Sequence, residues 1–447
     1  MRDLGLIAFL VALLGLGFRR PFLFVLAYAY VDIVSPQRLA YYLLNAIPLS
    51  LVCVVLAVGG WALADDKRGA RVGVRQSLML ALLVYCFWTT MTADFPVDAL
   101  NKWGWVWKAL AFAIFLPLTL RTRLRIEAMA LFMILSASSI IVVGGIKTVL
   151  SGGGYGILNL MVDSNSGLYE SSTISTMAIA ILPLLIWLAS HGTIFPPDWR
   201  TRGYALALGA ACILIPIGTQ ARTGLICIAL LAVLMLRLVR RRILYLAGLA
   251  TLAVAAVPFL PASYTQRMDT IAGYQSDESA STRIAIWKWT WDYAQDHPFG
   301  GGFESYRQNR ISYRRPETGN PGSGATAQVI DGGRAFHSAY FEMLGEQGYP
   351  GLGLWLLIQL GGLFRMEVVR RRWRRADPAD GWIAPLATAL QHCQLVYLVG
   401  AAFAGIAFQP LMLMIVALET GFDSYVRGLA KRRVAPLRVP VRGLVPA

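Results

Sequence analysis

The amino-acid sequence predicts an all-α protein: a polytopic transmembrane helix bundle of 12 or 13 spans with one large, partly helical external loop. Three observations lead there. The 447 residues are 56% apolar and only 15% charged, where a soluble domain is about 45–50% apolar and about 25% charged. Mean hydropathy is +0.55. The apolar residues fall in runs of roughly 15–22, the length an α-helix needs to cross a bilayer core. This composition excludes a cytosolic enzyme, a disordered scaffold and a secreted disulfide-rich domain.

The apolar segments run over 4–17, 21–34, 44–64, 76–93, 99–120, 126–147, 172–190, 203–218, 223–237, 243–260, 347–364, 384–403 and 406–426. The first two are short and meet at Arg19-Arg20-Pro21, so they form a hairpin or one broken helix. The first run has no small-residue cleavage site after it and reads as a membrane segment rather than a signal peptide. Residues 1–260 then form an N-terminal transmembrane bundle, 261–346 an external loop, 347–426 C-terminal transmembrane helices and 427–447 a basic tail.

Lys plus Arg is 41 and Asp plus Glu is 25, a formal net charge of +16. The excess sits in short loops: Lys67-Arg68 with Arg71 and Arg75, Arg121/Arg123/Arg125, Arg200 and Arg202, Arg237 with Arg240-Arg241-Arg242, and Arg370 to Arg375. That is the footprint of the positive-inside rule. Placing these loops in the cytoplasm puts 94–98, 148–171, 219–222, 404–405 and 261–346 outside, and the tail inside. The long loop balances basic against acidic residues, which suits translocation. Nucleic acid is not an expected partner, because no contiguous basic face with base-reading groups is present. The five cysteines lie inside apolar runs without a CxxC pair and read as small buried hydrophobes.

Within the long loop, Ser281 and Thr282 can cap a helix over Arg283 to Gln295, with Ile284, Trp287 and Trp291 at helical spacing. His297-Pro298 and Gly300-Gly301-Gly302 stop it. Residues 312–335 are rich in Gly, Pro, Ser and Arg with little apolar content and are expected to be a mobile, irregular stretch, a candidate lid. A second helix starts near Phe336 and leads through Gly348, Pro350 and Gly351 into the next span.

Arg222 lies in Thr219-Gln220-Ala221-Arg222-Thr223-Gly224, between two apolar segments on the side poor in positive charge. Ionisable groups there are functional candidates. A guanidinium holds phosphate oxygens in two parallel bonds; an interfacial anchor snorkelling to lipid phosphates explains it as well. Arg283 opens the loop helix beside Trp287, Trp289 and Trp291. It is either a second cationic clamp or part of an amphipathic helix resting on the bilayer. Among four histidines, His191 falls on the cytoplasmic side, His297 precedes a proline and His392 is inside an apolar run. His337, at the external mouth of a span, is left as the best general base, with Glu342 or Glu304 to orient it. No HExxH, clustered histidines, nucleophile elbow or P-loop is present in the sequence, so no metal or other cofactor is expected.

Together these pieces resemble the O-antigen ligase / O-antigen polymerase superfamily of bacterial envelope glycan assembly. The resemblance rests on Thr219-x-x-Arg222-x-Gly224, Arg283-x-x-x-Trp287, His297-Pro298-x-Gly300-x-Gly302, and His337-Ser338 followed by Gly345-Glu346-x-Gly348-x-x-Gly351. It covers roughly residues 160–365. Arg19-Arg20-Pro21-Phe22 and Ser35-Pro36-Gln37-Arg38-Leu39 look like a narrower branch, the O-glycosylation ligases associated with exosortase A systems. One stretch departs from the family pattern: an Asp-Asn-Asn-like element is replaced by Glu170-Ser171-Ser172-Thr173, with Asp163-Ser164-Asn165 earlier.

The resemblance implies a multi-pass protein of the bacterial inner membrane with a periplasmic active site. It implies metal-independent, inverting glycosyl transfer. The donor is an undecaprenyl-pyrophosphate-linked glycan; the acceptor is lipid A-core, another lipid-linked glycan or a protein hydroxyl. Membrane lipids are the remaining partners. Carried over by motif, Arg222 and Arg283 bind the pyrophosphate with Trp287 beside them, and His337 is the base. A polymerase joining lipid-linked repeat units uses the same donor and residues. A lipid-linked oligosaccharide transporter is more distant, because the predicted spans hold few charges and no internal repeat is evident.

Overall fold

Every predicted apolar segment is built on a helix. The computed structural model describes residues 2–67, 70–156, 158–160, 167–256, 278–316 and 326–434. In chain order the helices are α1 (Arg2–Gly17), α2 (Phe22–Val34), α3 (Pro36–Leu39), α4 (Leu49–Ala64), α5 (Val74–Met91), α6 (Pro96–Thr119), α7 (Arg123–Ser151) and α8 (Ser171–Ala180). They continue as α9 (Leu182–His191), α10 (Trp199–Gly218), α11 (Arg222–Met235), α12 (Arg242–Ala256), α13 (Glu278–Asp296), α14 (Ala339–Trp373), α15 (Ile383–Gly400) and α16 (Pro410–Val434). The boundaries have local causes. Thr122 accepts the Arg125 N–H and starts α7, and Asp198 accepts the Thr201 N–H and starts α10. Pro183 lacks a backbone N–H, and the predicted span 172–190 divides at Ile181 into α8 and α9.

Six helices among the described residues are long and apolar enough to cross a membrane by length and composition, and five more are shorter apolar helices. The expected 12 or 13 apolar segments therefore differ in length and apolarity in the structure. The reason is partly that α6 and α16 hold charges: Lys102 and Lys108 on one, Glu419 and Asp423 on the other. Glu419 is fully buried against Arg75, at 2.8 Å. A helix that turns charge toward protein need not be apolar all round.

Two corrections concern the long loop. α13 begins at Glu278, so Ser281 and Thr282 lie in its first turn rather than at its cap. The expected irregular stretch 312–335 contains an antiparallel hairpin, β1 (Arg310–Pro316) against β2 (Thr326–Gly332), with Arg310 opposite Gly332. Its pairing comes from the backbone, and the chain hides it because Ile311 is its main buried apolar anchor, packed with Ile286 and Phe336. The tip between the strands, the stretch 261–277, Asp163-Ser164-Asn165 and the tail beyond 434 lie outside the described residues.

The bundle has two chemically distinct ends. One gathers the arginine-rich loops. Arg125 grips both Asp65 oxygens at 2.6 and 2.8 Å, Arg365 meets Asp423 at 2.8 Å, and Glu367 receives Arg370 at 2.7 Å and Arg371 at 2.6 Å. The other end gathers the loops predicted on the opposite side. Asp94 donates its backbone N–H to the Gly301 carbonyl at 2.9 Å, and its carboxylate accepts the Tyr293 hydroxyl at 2.6 Å. Tyr155 donates its N–H to the Gly218 carbonyl at 3.0 Å, and Ala339 to that of Ala401 at 2.8 Å.

Candidate functional site

A break in α14 organises this second end. Gly348 sits at φ 62° and ψ −168° inside the helix. A Cβ there would collide with the Pro298 carbonyl, so only glycine admits the crossing chain. The His297 to Gly302 turn threads through the break. Tyr349 donates to the Pro298 carbonyl at 2.9 Å, Gly301 to that of Gly345 at 3.0 Å and Gly302 to that of Glu346 at 2.9 Å. His297 stacks on Tyr293 with ring centroids 4.2 Å apart, the structural role expected for it.

This clamp sets a buried ion cluster. Lys102 of α6 donates to Glu342 Oε1 at 2.7 Å and to the two Glu346 oxygens at 2.8 and 2.9 Å. The second Glu342 oxygen accepts the Ala407 N–H at 3.0 Å, and Glu346 also accepts the Glu304 N–H at 3.0 Å. Glu342 and Glu346, one turn apart on α14, are thus tied to three other segments. Glu304 itself holds the Tyr306 hydroxyl at 2.7 Å and Arg307 at 3.2 Å. Burial, followed by that carboxylate, pushes the Tyr306 hydroxyl up to about 12. Both carboxylates proposed to orient His337 therefore have other work.

His337 precedes α14 with φ 50°, a left-handed conformation that costs free energy in a residue with a Cβ. Its neighbours hold it there. The Trp287 indole N–H donates to the Phe336 carbonyl at 3.0 Å, and the same ring stacks on Phe341 at 5.2 Å and 5°. Trp287, expected beside the substrate, thus braces the His337 loop. His337 is half-buried, and its pKa is lowered by burial first, then by the charges of Arg283 and Arg334. The imidazole is held in its neutral, proton-accepting form near neutral pH.

Arg283 links two groups. Its charge reaches both His337 and the Glu170 carboxyl. Burial raises the Glu170 pKa, opposed by the Thr173 hydroxyl at 3.1 Å and by Arg283. The stretch that departs from the family pattern thus reaches this cluster.

Arg222 opens α11 from a strained turn with Gln220 at φ 54°. Thr219 bonds Ser175 of α8 at 2.9 Å, and a Cβ on Gly224 would collide with Pro216, so the turn is pressed against α8 and α10. Glu170 lies immediately before α8, and Ser175 about 6 Å along it at ~1.5 Å per residue. The structure brings Arg283 and His337 together and sets the Arg222 turn at the same end, one helix away.

A cavity of about 860 Å³ adjoins this cluster, with Glu170, Glu342, Lys102 and Glu304 in its wall. It extends under the N-terminal helices to Asp32, Ser50 and Lys108. The four non-glycine residues at positive φ among the described residues are Ser35, Gln220, Glu304 and His337. All four lie at this end of the bundle.

Residues 203–356 match the O-antigen ligase family model, a span that includes Arg222, Arg283 and His337. The chain carries an O-antigen ligase domain in this region. Residues 1–193 of this O-antigen ligase-like protein match a second model, a family of unknown function designated DUF5935. A search of curated proteins finds no match. Sequence reasoning missed Lys102, Glu346 and Asp32; the signal available was an ionisable residue inside or beside an apolar run.

Proposed function

We propose that the protein transfers a glycan from undecaprenyl pyrophosphate to an acceptor hydroxyl at the periplasmic face of the bacterial inner membrane. The observation supporting this reading best is the neutral-biased His337 beside the Arg283 charge, within the ligase-matched span. The acceptor oxygen attacks the anomeric carbon and gives its proton to the His337 imidazole. The carbon–oxygen bond to the pyrophosphate breaks, and that oxygen keeps the electron pair. Arg283 and Arg222 offset the charge that develops on it, an interaction worth most where water is excluded. Trp287 fixes the loop that aims the imidazole. Attack opposite the leaving group inverts the centre, and no metal is required. The acceptor is lipid A-core or a protein Ser, Thr or Tyr. The narrower O-glycosylation branch read at the N-terminus favours the protein.

The test is complementation of a deletion in the native host by wild type, Arg222→Ala and His337→Ala at matched membrane abundance. Both variants are expected to lose the glycoconjugate and to accumulate long lipid-linked chains. Accumulation of single lipid-linked units would instead make the enzyme a polymerase. Normal product from both variants would overturn the assignment.

A further inference from the structure

One lobe of the cavity wall is lined by the N-terminal region, through Asp32, Gln37, Ser50 and α6. Tyr169 fixes one wall by donating to the Val34 carbonyl at 2.8 Å. Another is a stripe along α6, where Asn101, Trp105 and Lys108 recur at helical spacing. Three side-chain atoms here are buried and make no hydrogen bond among the described residues: Asp32 Oδ2, Gln37 Oε1 and Ser50 Oγ. The Tyr28 hydroxyl, one turn before Asp32, lies close to Asp32 and Ser50, but its single hydrogen cannot meet all three acceptor atoms. Buried polar atoms ordinarily find partners, and leaving one unmet costs about 1–3 kcal/mol. All three residues line the cavity.

The chemistry of the gap selects its occupant. The Gln37 amide oxygen can only accept, and the Asp32 carboxyl and the Ser50 hydroxyl each have acceptor capacity as well. A partner bringing several hydrogen-bond donors matches all three. Lys108 and Arg38 line the same lobe, and Lys108 stands within electrostatic reach of Asp32, which disfavours a cation. A neutral polyol meets both conditions. Trp105 keeps 42% of its surface exposed and offers an aromatic face, which suits the C–H side of a sugar ring. The cavity volume of about 860 Å³ is that of a site enclosing a small ligand, roughly 300–1,000 Å³.

We propose that Asp32, Gln37, Ser50 and Trp105 form a saccharide subsite that holds one neutral sugar unit through its hydroxyl hydrogens. This gives the N-terminal region a substrate-binding task. The inference rests on the glycosyl-transfer reading above, since the lobe opens toward Glu170 and Glu342 beside the transfer residues. The sugar unit belongs either to the lipid-linked donor or to a glycan acceptor.

Saturation-transfer NMR on the full-length protein in nanodiscs tests it, with glucose, galactose, mannose and their N-acetyl derivatives as probes. At least one sugar should show transfer that weakens about tenfold or more in Asp32→Asn and Trp105→Ala, the scale of one charge-assisted hydrogen bond. Ser50→Ala is the milder control for folding and should weaken it less. His337→Ala should leave it unchanged. No transfer from any sugar, or transfer indifferent to Asp32→Asn and Trp105→Ala, overturns the proposal. Turnover then separates the sources: with lipid extract as donor and delipidated envelope as acceptor, Asp32→Asn should raise KM for one substrate only. If His337→Ala still makes product, the transfer reading fails. If only His337→Ala loses product and Asp32→Asn binds and turns over as wild type, the subsite alone fails.

Discussion

The two ends of this bundle use charge in opposite ways. At the arginine-rich end, guanidiniums meet carboxylates close by: Arg125 with Asp65, Arg365 with Asp423, Arg370 and Arg371 with Glu367. At the other end the cations are fewer and less evenly matched. Lys102 serves two carboxylates, Arg283 acts on both an imidazole and a carboxyl, and acceptor atoms of Asp32, Gln37 and Ser50 face a cavity without partners. The contrast teaches that the net charge of +16 reports on orientation. The proposed chemistry is assigned to the end that positive charge largely avoids.

The comparison can be broken at several points. The largest expected loss of stability comes from Lys102→Ala, which leaves Glu342 and Glu346 buried without their cation. Such an exposure of charge costs about 3–5 kcal/mol, so thermal unfolding in nanodiscs should fall sharply. Lys102→Ala stability equal to wild type would show that the cluster does not hold the site together. Arg125→Ala removes a partly exposed pair at the opposite end. It should lower stability by less than Lys102→Ala, with turnover per folded molecule unchanged; a turnover defect would deny the division between the ends.

A subtler effect concerns pH. His337 accepts a proton only when neutral, and its pKa lies below the ordinary 6.5. Turnover should be full above that value and fall as pH drops through the lowered one. Arg334→Gln removes one of the two charges holding it down, the smaller contributor after burial and Arg283. The acid limb of kcat/KM should move upward by roughly a few tenths of a pH unit. A downward move would contradict the electrostatic picture. The smallest effect is expected for Arg371→Ala, whose side chain is 74% exposed. Exposed pairs contribute about 0–1 kcal/mol, so unfolding and turnover should both stay near wild type.

The helices were legible because apolar runs of spanning length have few other uses. Arg222, Arg283 and His337 were legible as candidates because each is conspicuous for its type and place. The Lys102 cluster was not, since its partners lie 240 and 244 residues away and only folding pairs them. The β1–β2 hairpin was hidden for a related reason: its order lies in backbone bonds, while its side chains show little alternation. The bracing role of Trp287 was not legible because a tryptophan at an interface and one bracing a loop look alike in sequence; its donated bond to the Phe336 carbonyl shows the bracing contact. His392 shows the reverse case: its two ring nitrogens are buried without partners among the described residues, and nothing in the structure explains it.

The central claim is a division of labour, with arginines holding the pyrophosphate and His337 taking the proton. Its most direct test is titration of undecaprenyl pyrophosphate into nanodiscs carrying wild type, Arg222→Ala, Arg283→Ala and His337→Ala, with turnover measured on the same samples. His337→Ala should bind as wild type while turnover falls about 10²–10⁴-fold, the usual contribution of a general base. Each arginine variant should lose binding and turnover together. Wild-type binding by both arginine variants, or undiminished turnover by His337→Ala, would contradict the account.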